Sequence, residues 1–414
     1  MTQNRFLTLI VLILLMSSCY PLSTGAMKWR IKWDKNLKEG KETYLAEVKS
    51  ADKSKRPNII VILADDLGRY EVSAYDGVDH IKTPHIDQLG AEGVVFEHAY
   101  TTAPTCAPSR AGIMTGRIQN RYGFETQLME FYPTNLIEYL TGKYFTNTDS
   151  WVIESKPRYP REWQIAKQGV PPTEINLAEV LKAMDYRTGI TGKWHLGTSK
   201  NHKPMNRGFD FQYGFMGAFS LYTAKKMESG IINHEHNSFS DRYEWANGRK
   251  GDGQITLNEK VVVEEEYLTY AIRDQAINYI KENKDEPFFL YCAFSAPHAP
   301  FQAPVDYYCQ YDYVEDENKR VYYSMISALD DAIGEINAAI KEAGIEENTI
   351  VYFLSDNGGA SYTGATDNGP LKGGKLMQFE GGIRIPFMMK WTGKIPEGVR
   401  YQPYVSTTDI FATT

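Results

Sequence analysis

Residues 58–64 read NIIVILA and run directly into Asp65-Asp66. An unbroken β-branched and aliphatic run of this length has no polar side, so the strand it forms is buried on both faces. Such strands belong to parallel sheets covered by helices above and below. Further along the chain, PFFLYCAF at 287–294 and TIVYFL at 349–354 have the same character, and RTGIT at 187–191 is a shorter version. Helical patterns lie between them. Residues 324–343 place Ile326, Leu329, Ile333, Ile336 and Ile340 at three- and four-residue steps, with Gly344 as the stop. Residues 264–283 predict a second helix. Thr173 is the expected N-cap of a third, whose face carries Leu177, Val180, Leu181 and Met184. Strands alternating with helices predict an α/β fold with a large, mostly parallel central sheet flanked by helices.

Composition narrows the class. Of 414 residues, 23% are charged and 42% hydrophobic, which excludes bulk disorder and a collagen-like repeat. With 45 Lys and Arg against 52 Asp and Glu, the net charge of −7 leaves no overall basic field for nucleic acid. The four cysteines, Cys19, Cys106, Cys292 and Cys309, are too few for a disulfide scaffold. Cys292 reads as a buried hydrophobe, and the sequence leaves a bridge to Cys309 open.

At the N-terminus Arg5 precedes an apolar run, Phe6–Met16, followed by Ser17, Ser18 and Cys19. This pattern describes a secretory signal over residues 1–19. The run is too short to span a bilayer, which takes about 20 residues. Export is expected, to the periplasm or as an outer-membrane lipoprotein anchored through Cys19. Met16 stands where a bacterial lipoprotein box usually has Leu, so the lipid is left open. Residues 20–55, rich in Lys and Glu, read as a tether, and the folded body starts at Arg56-Pro57. Two long irregular stretches, 129–172 and 218–260, read as insertions that wall a cleft.

The buried runs all end in polar residues: Asp65-Asp66, Ser355-Asp356-Asn357, His298, and Lys193-Trp194-His195. Ligands of open α/β sheets bind at the carboxyl ends of the strands. Asp65, Asp66, Asp356 and Asn357 offer only oxygen, the set that hard Ca²⁺ or Mg²⁺ takes. Zinc would call for clustered His or Cys. In Cys106-Ala107-Pro108-Ser109-Arg110, the proline suits a first helical turn. A helix is predicted to begin at Cys106, where free N–H groups and Arg110 favour an anion. A thiolate nucleophile is one reading of Cys106, and it leaves the carboxylate set unexplained.

C-x-P-S-R followed by A-x-x-x-T-G-R, at 106–117, resembles the signature of the formylglycine-dependent sulfatases of the alkaline-phosphatase superfamily. Other motifs follow the same order: TPHIDQL at 83–89, GKWHLG at 192–197, APHAPF at 296–301, SDNGG at 355–359 and the stretch from Gly374 to Pro386. The likeness covers residues 56–414. It implies hydrolysis of sulfate esters, with a sulfated carbohydrate as the substrate class. It implies that a formylglycine-generating enzyme oxidises Cys106 to an aldehyde, whose hydrate offers two hydroxyls. One hydroxyl attacks sulfur; loss of the proton from the other expels sulfate and restores the aldehyde. Asp65, Asp66, Asp356 and Asn357, joined by residue 106, are implied to hold the metal, Ca²⁺ first and Mg²⁺ as the alternative.

Arg110 is implied to steady the diol, and Lys193 and Lys375 to grip the sulfate. His195 is implied to accept the second hydroxyl's proton, and His298, helped by Lys375, to protonate the leaving alcohol. Lys372 is the rival for the role of Lys375. His234 and His236 read as a surface loop, and His85 and His202 have no assigned role. Two alternatives stay open: a phosphomonoesterase or phosphodiesterase of the same superfamily, and a non-catalytic glycan-binding relative. VSTTDIFATT at 405–414 resembles the start of a helix that leads into a small C-terminal antiparallel subdomain, which is expected to be largely missing here.

Overall fold

The run at 58–64 forms strand β1 (Asn58–Ala64), every residue of which is buried. The computed structural model describes residues 35–49, 56–77, 80–125, 127, 169–224, 229–236, 238, 240–241, 244–245, 248–366 and 368–414. The other strands are β2 (Val94–Tyr100), β3 (Arg187–Lys193), β4 (Phe211–Phe215), β5 (Ile231–His234), β6 (Thr256–Leu257) and β7 (Lys260–Val261). They continue with β8 (Phe288–Ala293), β9 (Phe301–Pro304), β10 (Thr349–Ser355), β11 (Phe387–Lys390) and β12 (Val399–Ser406). Ten of them form one sheet in the order β12-β2-β11-β10-β1-β8-β3-β4-β6-β7, while β5 and β9 pair antiparallel beside it. The central strands β10, β1, β8, β3 and β4 are all parallel.

The principal helices are α1 (Lys35–Lys49), α2 (Pro84–Ala91), α3 (Cys106–Thr115), α4 (Leu177–Ala183), α5 (Leu268–Asn283) and α6 (Glu317–Glu342). Ile60 and Ile62 of β1 face the core built with α2, α5 and α6. Ile59, Val61 and Leu63 face the opposite core, built with α3 and α4. Each such side chain, fully buried, contributes about 1.5–3 kcal/mol relative to exposure. The fold is the helix-flanked, mostly parallel α/β sheet that the apolar runs predict.

Three local expectations are corrected. The cap of α4 is Asn176, not Thr173. Asn176 Oδ1 accepts the Ala178 N–H (2.9 Å), and the Glu179 carboxylate accepts the Asn176 N–H (2.8 Å). This reciprocal pair satisfies N–H groups that Thr173, three residues upstream, does not reach. Helix α6 starts earlier than its stripe suggests, because Asp316 accepts the Lys319 N–H (3.2 Å) and initiates it at Glu317. Gly344, at φ +70°, ends it in the left-handed conformation glycine tolerates.

Residues 35–49, within the stretch read as a tether, form α1. No side chain of α1 is fully buried; Lys41, Leu45 and Val48 are half-buried along one face. It docks through Lys41, whose Nζ donates to Pro172 O (2.8 Å), Glu174 O (3.1 Å) and Glu179 Oε1 (2.7 Å). The leader and the lipid-anchor residue Cys19 lie outside the described residues, as does most of 129–172. Cys292 and Cys309 are both free thiols.

Asp330 of α6 is buried and caps a different helix. Its carboxylate accepts the N–H groups of His85 (3.1 Å) and Ile86 (2.8 Å) at the start of α2. Burial pushes this carboxyl up to about 7, against the pull of the two N–H donors. A folded-state value above the unfolded one favours the protonated native state, so this contribution to stability falls as pH rises from about 4 to about 7. Asp330→Asn removes that titration. The melting temperature of the variant minus that of the native chain should therefore increase across this pH range, and a pH-independent difference would contradict the assignment.

Candidate active site

The register of the parallel strands aligns their carboxyl ends. Ala64 pairs with Ser355, Leu63 with Ala293, and Gly192 with Ala293. Asp65, Asp356, Lys193 and the loop to His298 therefore emerge along one sheet edge. Gly192 has φ +96°, and a Cβ there would lie 1.8 Å from Ala293 O, so only glycine fits where β3 meets β8. Strand β2 delivers α3 to the same edge, and Cys106 is the first residue of that helix, as predicted.

The functional side chains are buried and interlocked. Cys106 Sγ lies 3.3 Å from Asp65 Oδ1 and 3.8 Å from Asp66 Oδ1. Lys193 Nζ donates to Asp65 Oδ2 (2.6 Å), and Lys375 Nζ to Asp66 Oδ2 (2.8 Å). Arg110 Nε donates to Asp356 Oδ2 (2.8 Å), and its Nη1 to Lys193 O (3.0 Å). Lys375 Nζ also lies 2.9 Å from His298 Nε2, while His298 Nδ1 faces the Ala299 carbonyl. That carbonyl accepts only from an N–H, so the proton of a neutral His298 sits on Nδ1 and Nε2 accepts from Lys375. His195 is fully buried beside this group, within electrostatic reach of Lys193, Arg110 and Asp65. Asp66 (φ +64°) and His195 (φ +59°) both hold left-handed backbone, a strain that recurs where side-chain placement matters more than local comfort.

Burial sets the protonation states. Burial would raise Asp65, but Lys193, His298 and Arg110 hold it well below the usual carboxylate range. Burial and then the Asp65 charge raise Asp356, with Arg110 opposing. Burial works to lower Lys375, and Asp66 more than offsets it, so the ammonium is kept. Burial first, then the neighbouring cations, depress His195 and His298, so both imidazoles are neutral. Burial followed by Asp356 and Asp65 pushes the Cys106 thiol well above its ordinary value. This direction works against a thiolate nucleophile at Cys106.

The donor set fits a hard divalent cation. One ligand atom from each of Asp65, Asp66, Cys106 and His298 lies within 4.8 Å of the others. Asp356 Oδ1 accepts the Asp66 N–H (3.3 Å), and Asn357 Nδ2 donates to Asp66 Oδ1 (2.7 Å). Asn357 Oδ1 is buried with no hydrogen-bond partner, and a cation ligand would satisfy it.

Every residue given a catalytic or metal-holding role in the sequence reading reaches this edge. Lys372 does not: it is exposed, with Nζ 4.1 Å from the Phe379 ring centroid. Three other histidines lie elsewhere in contacts of their own: His85 near Asp331 (3.5 Å), His202 on Ser199 (2.6 Å) and His234 on Asn318 (2.5 Å). The surface-loop reading of His236 is corrected, because the ring is buried beside Asp241 and Glu244. Two residues escape the sequence reading. Asn368 accepts the Gly359 N–H (2.8 Å) and donates to Gly359 O (3.0 Å) and Gly373 O (3.1 Å), tying the loop after Asp356-Asn357 to the Lys375 loop. Tyr362 stands within electrostatic reach of Lys375 and Asp66. Neither has a local spacing that marks it.

The family model described as Sulfatase matches residues 57–414, and the chain belongs to that family. N-acetylgalactosamine-6-sulfatase of Canis lupus familiaris is 31% identical over 363 residues, covering 86% of this chain. The chain spans 61% of the length of that relative. The solved structure of Ps i-CgsB in complex with k-i-k-neocarrahexaose is 33% identical with a TM-score of 0.69, covering 87% of this chain and 71% of that one. A Bacteroides thetaiotaomicron protein from a locus for metabolism of multiple glycosaminoglycans is 26% identical with a TM-score of 0.62, covering 87% and 76%.

Calcium at about 100 times its Kd should stabilise the chain by about 2.7 kcal/mol through mass action. A thermal melt with and without chelator reads this directly. Asn357→Ala should shrink the calcium-dependent rise, and an undiminished rise would remove Asn357 from the ligand set.

Proposed function

We propose that the protein hydrolyses sulfate esters of a carbohydrate, with Cys106 matured to formylglycine by a dedicated enzyme. A divalent cation, Ca²⁺ first, is held by Asp65, Asp66, Asp356 and Asn357. The observation that carries this reading is the burial of Cys106 at the start of α3, its Sγ 3.3 Å from Asp65 and 3.8 Å from Asp66 in a ring of carboxylates and cations. A thiol that does not ionise is a poor nucleophile as it stands and makes sense as a precursor. The carbohydrate substrate is supported by the relative named for N-acetylgalactosamine sulfate and by the neighbour crystallised with an oligosaccharide.

The charge count suits the substrate. Asp65, Asp66 and Asp356 oppose Arg110, Lys193 and Lys375, and both histidines are neutral. When bound, the cation adds positive charge and Lewis-acid polarisation of an ester oxygen. The formylglycine hydrate supplies the attacking hydroxyl. Lys193 and Lys375 offset charge that grows on the transferring group, from fixed positions in a dry site. Arg110 holds Asp356 and the Lys193 carbonyl together and so sets the first turn of α3. His195, neutral and buried, is in the form that takes up a proton. The proton for the leaving alcohol resides on the Lys375–His298 pair, where Nζ and Nε2 are 2.9 Å apart.

The insertions at 129–172 and 218–260 are proposed as the walls that read the sugar. Export through the leader, with Cys19 as the candidate lipid-anchor residue, places the enzyme where a bacterium meets polymeric glycans. No helix among the described residues is long and apolar enough to cross a membrane.

The test is release of free sulfate from sulfated oligosaccharides by protein co-produced with a formylglycine-generating enzyme. No release, together with phosphate-ester turnover that persists in Cys106→Ser, would favour the phosphoesterase alternative. Within the sulfatase reading, His298→Gln should slow a sugar sulfate by about 10²–10⁴-fold. An aryl sulfate, whose phenol leaves without protonation, should lose much less, and equal losses would contradict the proton-donor role.

A further inference from the structure

The insertion at 218–260 buries a second cluster of ligand-bearing side chains. His236, Asp241 and Glu244 are 5%, 3% and 4% exposed. His236 Nε2 stands 3.6 Å from Asp241 Oδ1 and 3.8 Å from Glu244 Oε2. One ligand atom from each of the three lies within 4.8 Å of the others. These separations are too long for hydrogen bonds. They are close to the edge of a coordination tetrahedron, since metal–ligand lengths of about 2.0–2.2 Å set neighbouring ligands about 3.3–3.6 Å apart.

His236 Nε2 and Glu244 Oε2 are both buried without a hydrogen-bond partner. Among the described residues no Lys or Arg pairs with Glu244. Trp245 Nε1 donates to Asp241 Oδ1 (3.1 Å), which orients that carboxylate. Glu244 is a buried carboxylate with an unpartnered oxygen, and buried charge of this kind is paired or coordinates a metal. A dication there would offset the Glu244 charge and give both unpartnered atoms a ligand role.

We propose that His236, Asp241 and Glu244 form a second metal site, separate from the Asp65–Asp356 centre, that takes a transition dication of the zinc type. An imidazole nitrogen with two carboxylates suits such an ion better than Ca²⁺, which prefers oxygen throughout. Coordination at Nε2 places the imidazole proton on Nδ1, so the 3.3 Å contact from Ser238 N–H to Nδ1 opens on binding. The His236 ring packs on Phe301, centroids 4.9 Å apart. Phe301 starts β9, just after the loop of His298, and β9 already pairs with β5 of the same insertion. The ion would clamp the insertion to the wall nearest the proton donor. Its role is structural, not catalytic.

The experiment uses the full chain carrying Cys106→Ser and Cys309→Ser, so that neither the active-site thiol nor the exposed one competes, with excess Ca²⁺ filling the oxygen-only centre. Co²⁺ is titrated in and read by equilibrium dialysis and by visible absorption. The expected result is about one Co²⁺ per chain with the strong absorption of a low-coordinate ion. His236→Gln and Glu244→Gln should each weaken binding by more than about tenfold. Absence of Co²⁺ uptake, or uptake that both variants retain, overturns the site. A thermal melt in Ca²⁺ checks folding, and Glu244→Gln, which keeps the side-chain volume, decides the matter if His236→Gln does not fold.

Discussion

Three buried carboxylates at the edge of the sheet each lie against a buried cation, and the site depends on that balance. Asp65 meets Lys193, Asp66 meets Lys375 and Asp356 meets Arg110. Stripping one partner from a buried pair costs about 3–5 kcal/mol, because the other charge is left uncompensated. The partners come from strands and loops far apart in sequence, so the pairs hold together β1, β3, β10, α3 and the loop of Lys375. The left-handed backbone at Asp66 and His195 is tolerated within this frame. The same frame keeps the Cys106 thiol protonated and the two histidines neutral.

Close packing of loops completes the arrangement. A Cβ at Gly358 would lie 1.7 Å from Gly381 O, so the SDNGG and EGG stretches touch backbone to backbone. Asn368 bridges Gly359 of SDNGG and Gly373 of the Lys375 loop with its amide. Lys375 is thereby held against Asp66 and His298 by main-chain contacts, while Lys372, three residues earlier, faces solvent.

The sheet was legible because its central strands are buried on both faces and so are written as continuous apolar runs, as in 58–64 and 349–354. The acidic residues at the sheet edge were legible because each follows its strand directly. The outer strands were harder: β2 alternates buried and half-buried residues and has no continuous run. Helix α1 escaped because most of its surface is exposed and the polar bonds of Lys41 that dock it leave no mark in the sequence. Asn176 outcompeted Thr173 through a side-chain exchange with Glu179. The His236 cluster escaped because its meaning lies in three side chains converging across an insertion, and His-x-His alone does not show that.

Everything proposed about catalysis turns on the fate of Cys106. The most direct measurement is the mass of the peptide containing Cys106 after co-production with a formylglycine-generating enzyme. Conversion of the thiol to the aldehyde is the predicted result. An intact thiol, under conditions that modify a control sulfatase, would contradict the account.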